Sequence, residues 1–161
     1  MKSIALIILM GLTTAAYAQK ADFSGFYEGV RVGRNDSDAS GLQQLQRTST
    51  YPGLVAGYSY VVNDNLWGVE AFADYHNKST TGKDAGVGLK VGRIIGNSLI
   101  FGRVAVTGIW PSYRPQVGLG VEYKLDKHFA LTANASYDQT TDDGIKRQNK
   151  NLALGLNYYF H

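Results

Sequence analysis

The chain has 161 residues and a formal charge of +3, enough for one modest domain, and its Lys and Arg residues are scattered among 13 acids without the basic block expected of a nucleic-acid binder. It contains no Cys, which excludes a disulfide framework and any thiol site. Nineteen Gly, eleven Tyr and three Pro accompany a mean hydropathy of −0.19, and beyond residue 18 no stretch approaches the ~18 consecutive apolar residues of a transmembrane helix.

The N-terminus reads as an export signal. Lys2 supplies a positive start, Ile4 to Leu12 form an apolar run, and Ala16-Tyr17-Ala18 is an A-x-A cleavage site before Gln19. The run is far shorter than the ~20 residues a spanning helix needs. Residues 1–18 are therefore expected to be a cleaved signal peptide and 19–161 the mature domain.

Eight segments of alternating polarity follow, at 23–33, 51–62, 66–76, 84–94, 98–109, 115–125, 128–138 and 151–160. In the first, Phe26, Val30 and Val32 oppose Gly29, Arg31 and Gly33. In the third, Trp67, Val69, Ala71, Ala73 and Tyr75 oppose Gly68, Glu70, Phe72 and Asp74. The fourth sets Val87, Leu89 and Val91 against Gly88, Lys90 and Gly92. The sixth sets Val117, Leu119 and Val121 against Gly118, Gly120 and Glu122. The last sets Leu152, Leu154, Leu156, Tyr158 and Phe160 against Ala153, Gly155, Asn157 and Tyr159.

The connections alternate as regularly as the residues do. The stretches 34–50 and 139–150 read as long polar loops, and those around 76–83 and 110–114 as medium ones. Between them fall three tight turns at 62–65, 95–97 and 126–127. Short turns at one end and longer loops at the other are the pattern of outer-membrane barrels, whose strands need only about 9–11 residues each. The fold class expected is all-β: an eight-stranded antiparallel up-and-down transmembrane β-barrel with both termini periplasmic. A soluble barrel would bury the apolar face. Here that face is expected to meet lipid, because a lipid-facing charge near the midplane costs about 2–4 kcal/mol.

Several of these segments resemble a known family. Phe26-Tyr27-Glu28-Gly29-Val30-Arg31-Val32-Gly33, Gly68-Val69-Glu70, Leu89-Lys90-Val91-Gly92 and above all Gly118-Leu119-Gly120-Val121-Glu122-Tyr123-Lys124-Leu125 are similar to strands of the outer membrane protein A transmembrane domain and the short opacity-type surface proteins. The closing Leu154-Gly155-Leu156-Asn157-Tyr158-Tyr159-Phe160 looks like the strand signal read by the barrel-assembly machinery, with Tyr158 and Phe160 as its aromatic pair. The resemblance implies a lumenal salt-bridge network that blocks or gates a water path, at Arg31, Glu70, Lys90 and Glu122. Alternation independently places each of these on the inner face. Arg103 and Asp74 are expected to join them. The chain departs from the family in carrying Thr132 where a basic residue is frequent and in adding His161 after the last aromatic. The peptidoglycan-binding domain of the long members is expected to be absent.

The remaining candidate chemistry is thin. His76, His128 and His161 are scattered and read as surface histidines, so neither metal nor cofactor is expected. A lipid A-modifying enzyme would need a His beside a Ser or other polar partner. The one His of the Ser136 segment, His128, sits at the turn that opens it, and His76 has no recognisable partner, so no enzyme is expected. The acidic stretches Asp36-Ser37-Asp38 and Asp142-Asp143-Gly144 lack calcium-loop spacing. Trp67, Tyr75, Trp110, Tyr113, Tyr158 and Phe160 are expected to form the aromatic girdle. Glu28 and Arg93, the two outward charges, are expected at the periplasmic rim. Arg114, Lys146, Arg147 and Lys150 are expected on outer loops, facing lipopolysaccharide phosphates.

The role expected is structural and surface-interacting, in a Gram-negative outer membrane. A narrow low-conductance channel is the alternative and a lipid A-modifying enzyme a more distant one. Partners would be outer-membrane lipids and lipopolysaccharide, the barrel-assembly machinery during insertion, and a host or surface ligand on 34–50 or 139–150. No nucleic acid is expected.

Overall fold

Strict period-two alternation makes each segment a pleated strand with one apolar and one polar face, and neither face can be left to the wrong solvent. The computed structural model describes residues 21–40, 45–76, 84–108, 113–142 and 144–160. The expected signal peptide, Trp110 and His161 lie outside the described residues.

Eight strands follow one another: β1 (Gly25–Ser40), β2 (Leu45–Val62), β3 (Asn65–Asp74), β4 (Asp84–Ile95), β5 (Ser98–Thr107), β6 (Arg114–Lys124), β7 (Phe129–Asp142) and β8 (Ile145–Phe160). Each pairs antiparallel with its neighbour, and β1 closes on β8 to complete the barrel. Directly paired residues traced around the wall run from Tyr27 through Gly57, Glu70, Gly88, Ala105, Gln116, Asp138 and Asn149 and return to β1 at Ser37. That stagger of ten residues tilts the strands, by roughly 35–45° in barrels of this size, and leaves an interior just wide enough for side chains.

The turns at one end are tight for identifiable reasons. Asn63 and Asp64 have φ of 47° and 70°, the left-handed pair of a two-residue hairpin. Gly96 takes φ of 59° in the next such turn. In the third, Asp126 accepts the backbone N–H groups of His128 and Phe129 at 2.7 Å, and these bonds hold its carboxyl below the usual carboxylate range.

The opposite end differs from the expected pattern. Residues 34–40 and 45–50 continue β1 and β2, with Asp36 paired to Thr48 and Asp38 to Gln46. The stretch 139–150 likewise belongs to β7 and β8, turning at Gly144. The expected long loops are thus paired strand for most of their length. Only 41–44 and Asp143 of them lie outside the described residues. The reason is physical: past the bilayer the outward face of a strand meets water instead of lipid, so backbone pairing persists while the apolar alternation that reveals it disappears. The four-stranded wall β7–β8–β1–β2 rises about 20 Å along the strands beyond the apolar belt.

Outside, the barrel is apolar. Leu119 is 73% exposed, and Val30, Leu54, Val87, Val104 and Leu154 are all more than half exposed. Surface depressions lie on this face, one lined by Phe26, Tyr58, Val69, Ala71, Val87 and Val104, a surface suited to acyl chains. Trp67, Tyr75, Tyr113 and Phe160 face outward near the ends of the belt, and Tyr158 stacks with His128 and packs edge-on with Phe160. Glu28 and Arg93 also face outward, toward the tight-turn end of their strands.

This inside-out arrangement sets an unequal cost for lipid-facing charge. Leu119→Arg, in mid-belt, is expected to lower unfolding stability in detergent by about 2–4 kcal/mol, and Val62→Arg at the rim by about 0–1 kcal/mol. Equal, negligible effects in a urea titration would contradict burial of this face in lipid.

Candidate functional site: the charged lumen

An eight-stranded barrel has too little room for a large side chain at every inward position. Glycine therefore stands directly across from aromatics. Tyr27 lies over Gly57, Phe72 over Gly86, Tyr51 over Gly33 and Phe101 over Gly120, each pair in direct cross-strand register. A Cβ on Gly57 would come within 2.6 Å of the Tyr27 ring, and one on Gly86 within 2.5 Å of Phe72. These rings fill the axis and leave defined gaps that charged groups occupy.

The charges form three tiers. Nearest the tight turns, Lys90 and Glu122 are paired, both fully buried. The Tyr159 hydroxyl donates to Glu122 Oε2 at 2.7 Å, and Lys90 also lies 4.3 Å from the centre of the Phe101 ring. Beside them Arg103 Nη1 reaches Glu70 Oε1 at 2.5 Å, and the Tyr27 hydroxyl donates to Glu70 Oε2 at 2.7 Å. In the middle tier Arg31 grips Asp74 with both arms, at 2.9 and 2.8 Å. Arg31 and Arg103 both sit over Phe72, at 4.8 and 4.7 Å from the ring centre. Arg103 donates onward to Gln116 Oε1 at 2.9 Å. All six residues selected from the sequence (Arg31, Glu70, Asp74, Lys90, Arg103 and Glu122) are buried inside, and each is paired with another of the set. Thr132, directly across from Glu122, leaves that carboxylate to Lys90 and Tyr159.

The third tier was not anticipated. Arg114, expected on an outer loop, opens β6 and points inward, bridging Asp84 at 2.5 Å and Asp138 at 2.7 Å. Its guanidinium is 2% exposed, so it does not face lipopolysaccharide. His76, expected at the surface, is buried, with its Nε2 3.8 Å from Asp84 and its ring 4.0 Å from that of Tyr51. Asn149 donates to Asp138 Oδ1 at 2.7 Å, and Asn35 Nδ2 lies 3.3 Å from Asn149 Oδ1 and 3.4 Å from His76 Nδ1. Period two carried two residues past Ser136 would have flagged Asp138, and the same step past Asp74 reaches His76. Two such steps back from Gly88 reach Asp84 and two back from Gly118 reach Arg114, each the first residue of its strand.

The tight-turn end is capped by the chain itself. Residues 21–24 precede β1 and cross the mouth: Ala21 N donates to Gly96 O at 3.4 Å, and Phe23 is fully buried, edge-on to Tyr159 at 5.9 Å. Lys124 lies 3.7 Å from the Tyr159 ring centre and donates to Lys127 O at 2.9 Å. Among the described residues the buried cations Arg31, Lys90, Arg103, Arg114 and Lys124 balance the buried carboxylates Glu70, Asp74, Asp84, Glu122 and Asp138, five against five. Among the same residues no three His, Asp or Glu side chains are disposed to hold a metal.

Removing one member of a buried pair strands the other. Arg31→Met is expected to cost about 3–5 kcal/mol, and Arg31→Met with Asp74→Asn markedly less. Additive losses in a double-mutant cycle would show that the pair is not coupled.

The comparisons agree with this architecture. Among curated proteins, none matches the chain. Crystal structures of Neisserial surface protein A (20% identity, covering 85% of this chain and 98% of that one, TM-score 0.53) and of the outer membrane protein OprG from Pseudomonas aeruginosa (15% identity, 89% and 98%, TM-score 0.51) share the fold. The family model for the outer membrane protein beta-barrel domain matches residues 4–108. With that match over more than half its length, this chain belongs to the outer membrane protein β-barrel domain family.

Proposed function

We propose that the protein is a plugged, surface-displaying barrel that contributes to the integrity of the Gram-negative outer membrane and presents its β7–β8–β1–β2 wall to ligands outside the cell. The observation that carries this reading is the electroneutral lumen, in which five cations and five carboxylates are buried among stacked aromatics and Phe23 sits beneath them. Such packing favours a structural plug over an open water path, because each buried carboxylate already has a cationic partner.

The rest of the reading follows from orientation. Residues 1–18 act as the cleaved export signal, and both termini and the three tight turns are periplasmic. The aromatic pair Tyr158 and Phe160 serves the barrel-assembly machinery. Lys146 and Lys150, exposed on the outward face of β8, and Arg34 on β1 supply cations to lipopolysaccharide phosphates above the apolar belt. The wall 34–50 with 139–150 is the contact surface for a host or other surface ligand. A lipid-modifying activity has little support, because His76 turns into the lumen and away from lipid.

Two measurements test the proposal. In planar bilayers the purified protein is expected to show no steady conductance, and a steady current altered by Glu70→Ala or Lys90→Ala would establish the narrow channel instead. Deleting 36–48 or 140–149 is expected to abolish adhesion while heat-modifiable migration on gels persists. Unchanged adhesion would remove the wall from the function.

A further inference from the structure

The uppermost tier of the lumen is a ring of side chains, hydrogen-bonded except where His76 faces Asp84. Asn35 contacts His76 (3.4 Å), His76 faces Asp84 (3.8 Å), and Asp84 accepts from Arg114 (2.5 Å). Arg114 donates to Asp138 (2.7 Å), Asp138 accepts from Asn149 (2.7 Å), and Asn149 returns to Asn35 (3.3 Å). Its members stand at the bases of all four connections at this end: Asn35 on β1, His76 and Asp84 on either side of 77–83, Arg114 after 108–113, and Asp138 and Asn149 on β7 and β8.

Donor and acceptor identity fixes the direction of every link from Asp138 to His76. A carboxylate only accepts, so Asn149 must turn its Nδ2 to Asp138 and its Oδ1 to Asn35. Asn35 must then present Nδ2 to Asn149, and that same Nδ2 is what His76 Nδ1 meets. Nδ1 is therefore an acceptor, and the imidazole proton lies on Nε2 toward Asp84. The ring is complete only with a neutral His76. Once both ring nitrogens carry protons, Nδ1–H opposes Asn35 Nδ2. Turning the Asn35 amide over would bring its Oδ1, which has no hydrogen-bond partner among the described residues, to Nδ1–H, but would set that oxygen's former place, now Nδ2, away from Asn149 and break that link. Either way the ring opens at β1.

We propose that His76 is a proton-operated clasp: neutral, it ties the base of β1 into the ring that closes the outer mouth, and protonated, it releases β1 and loosens the wall that β1 and β2 form above the membrane. This goes beyond the plugged-barrel reading, which gives the protonation of His76 no role.

The surroundings of His76 are consistent with that role. It lies beyond the end of β3, faced by Arg31 of β1, Tyr51 of β2, Asp74 of its own strand, Asp84 of β4, Arg114 of β6 and Asp138 of β7. Burial pushes its imidazole below the ordinary value; Asp74 and Asp138 pull it up, and Arg114 and Arg31 push it down further. Asp84 and Asp138 share the single guanidinium of Arg114, so a protonated His76 would be drawn toward Asp84 while losing its link to Asn35. The sign follows from linkage. The unfolded chain takes up the His76 proton near pH 6.5 and the folded chain only below that, so the contribution of the clasp is complete above about pH 6.5 and is lost as pH falls toward the folded value.

Hydrogen exchange on the full-length barrel in detergent, corrected for the intrinsic rate, tests this at about pH 7.5 and about pH 5, either side of the imidazole range. Protection of the Asn35–Ser40 and Gln46–Thr50 amides is expected to fall on the order of tenfold on acidification, as β1 opens locally. His76→Gln, whose amide can accept from Asn35 and has no proton of its own to titrate, should hold protection constant. Asn35→Ala should be loose at both values, and His128→Gln, at the other end of the barrel, should behave as wild type. If His76→Gln does not fold, the NMR titration of His76 in the wild type serves instead, and its midpoint must match that of the exchange change. Constant protection in the wild type, an unaltered response in His76→Gln, or a response lost in His128→Gln would overturn the proposal.

Discussion

Inside a bilayer no water is available to a stranded N–H or carbonyl, so a sheet can cross only if it has no edge. The pairing of β1 with β8 meets that condition, and the other features of the molecule follow from it. Closure of eight strands with a stagger of ten leaves a narrow axis. Glycine then stands across from large inward rings, as Gly57 does beneath Tyr27 and Gly86 beneath Phe72. Because lipid takes the apolar face, the polar half of every strand is driven into that axis, where water is also scarce.

Charges confined in this way have few acceptable arrangements. Each must have a partner, and the set as a whole must be near neutral. The tiers built on Lys90–Glu122, Arg103–Glu70 and Arg31–Asp74 meet both demands with help from Tyr27, Tyr159 and Gln116. The outer tier meets only the first demand locally: one guanidinium is shared between two carboxylates, and a neutral histidine stands beside one of them. Residues 21–24 close the opposite mouth with an aromatic, Phe23, in place of charge. The interior is thus built from the same physics throughout but graded from a rigid, apolar-walled base to a titratable rim.

How much of this was legible in the sequence depended on which solvents a residue lies between. Within the belt, lipid on one side and lumen on the other imprint period two directly, so Arg31, Glu70, Lys90 and Glu122 could be placed inward from alternation alone. Above the belt, outward residues such as Asp36, Thr48 and Gln148 meet water instead of lipid, and β1, β2, β7 and β8 ran on unseen through stretches that read as loops. The unforeseen site residues share a related cause. Arg114 and Asp84 begin strands, and His76 follows the end of one, where composition resembles a loop although the side chain faces inward. Partner choice was also hidden: nothing in the spacing of Arg103 distinguishes Glu70 from Glu122, a choice made by the stagger of the closed barrel.

The account stands on the claim that the inner charges are dry and specifically paired. Solution NMR of the refolded barrel, following the Lys90 ammonium protons, tests this most directly. A slowly exchanging ammonium signal with through-space contacts to the Glu122 side chain and to the Phe101 ring is the predicted result. Exchange with water as fast as that of a solvated lysine, or an ammonium found beside another carboxylate, would contradict it.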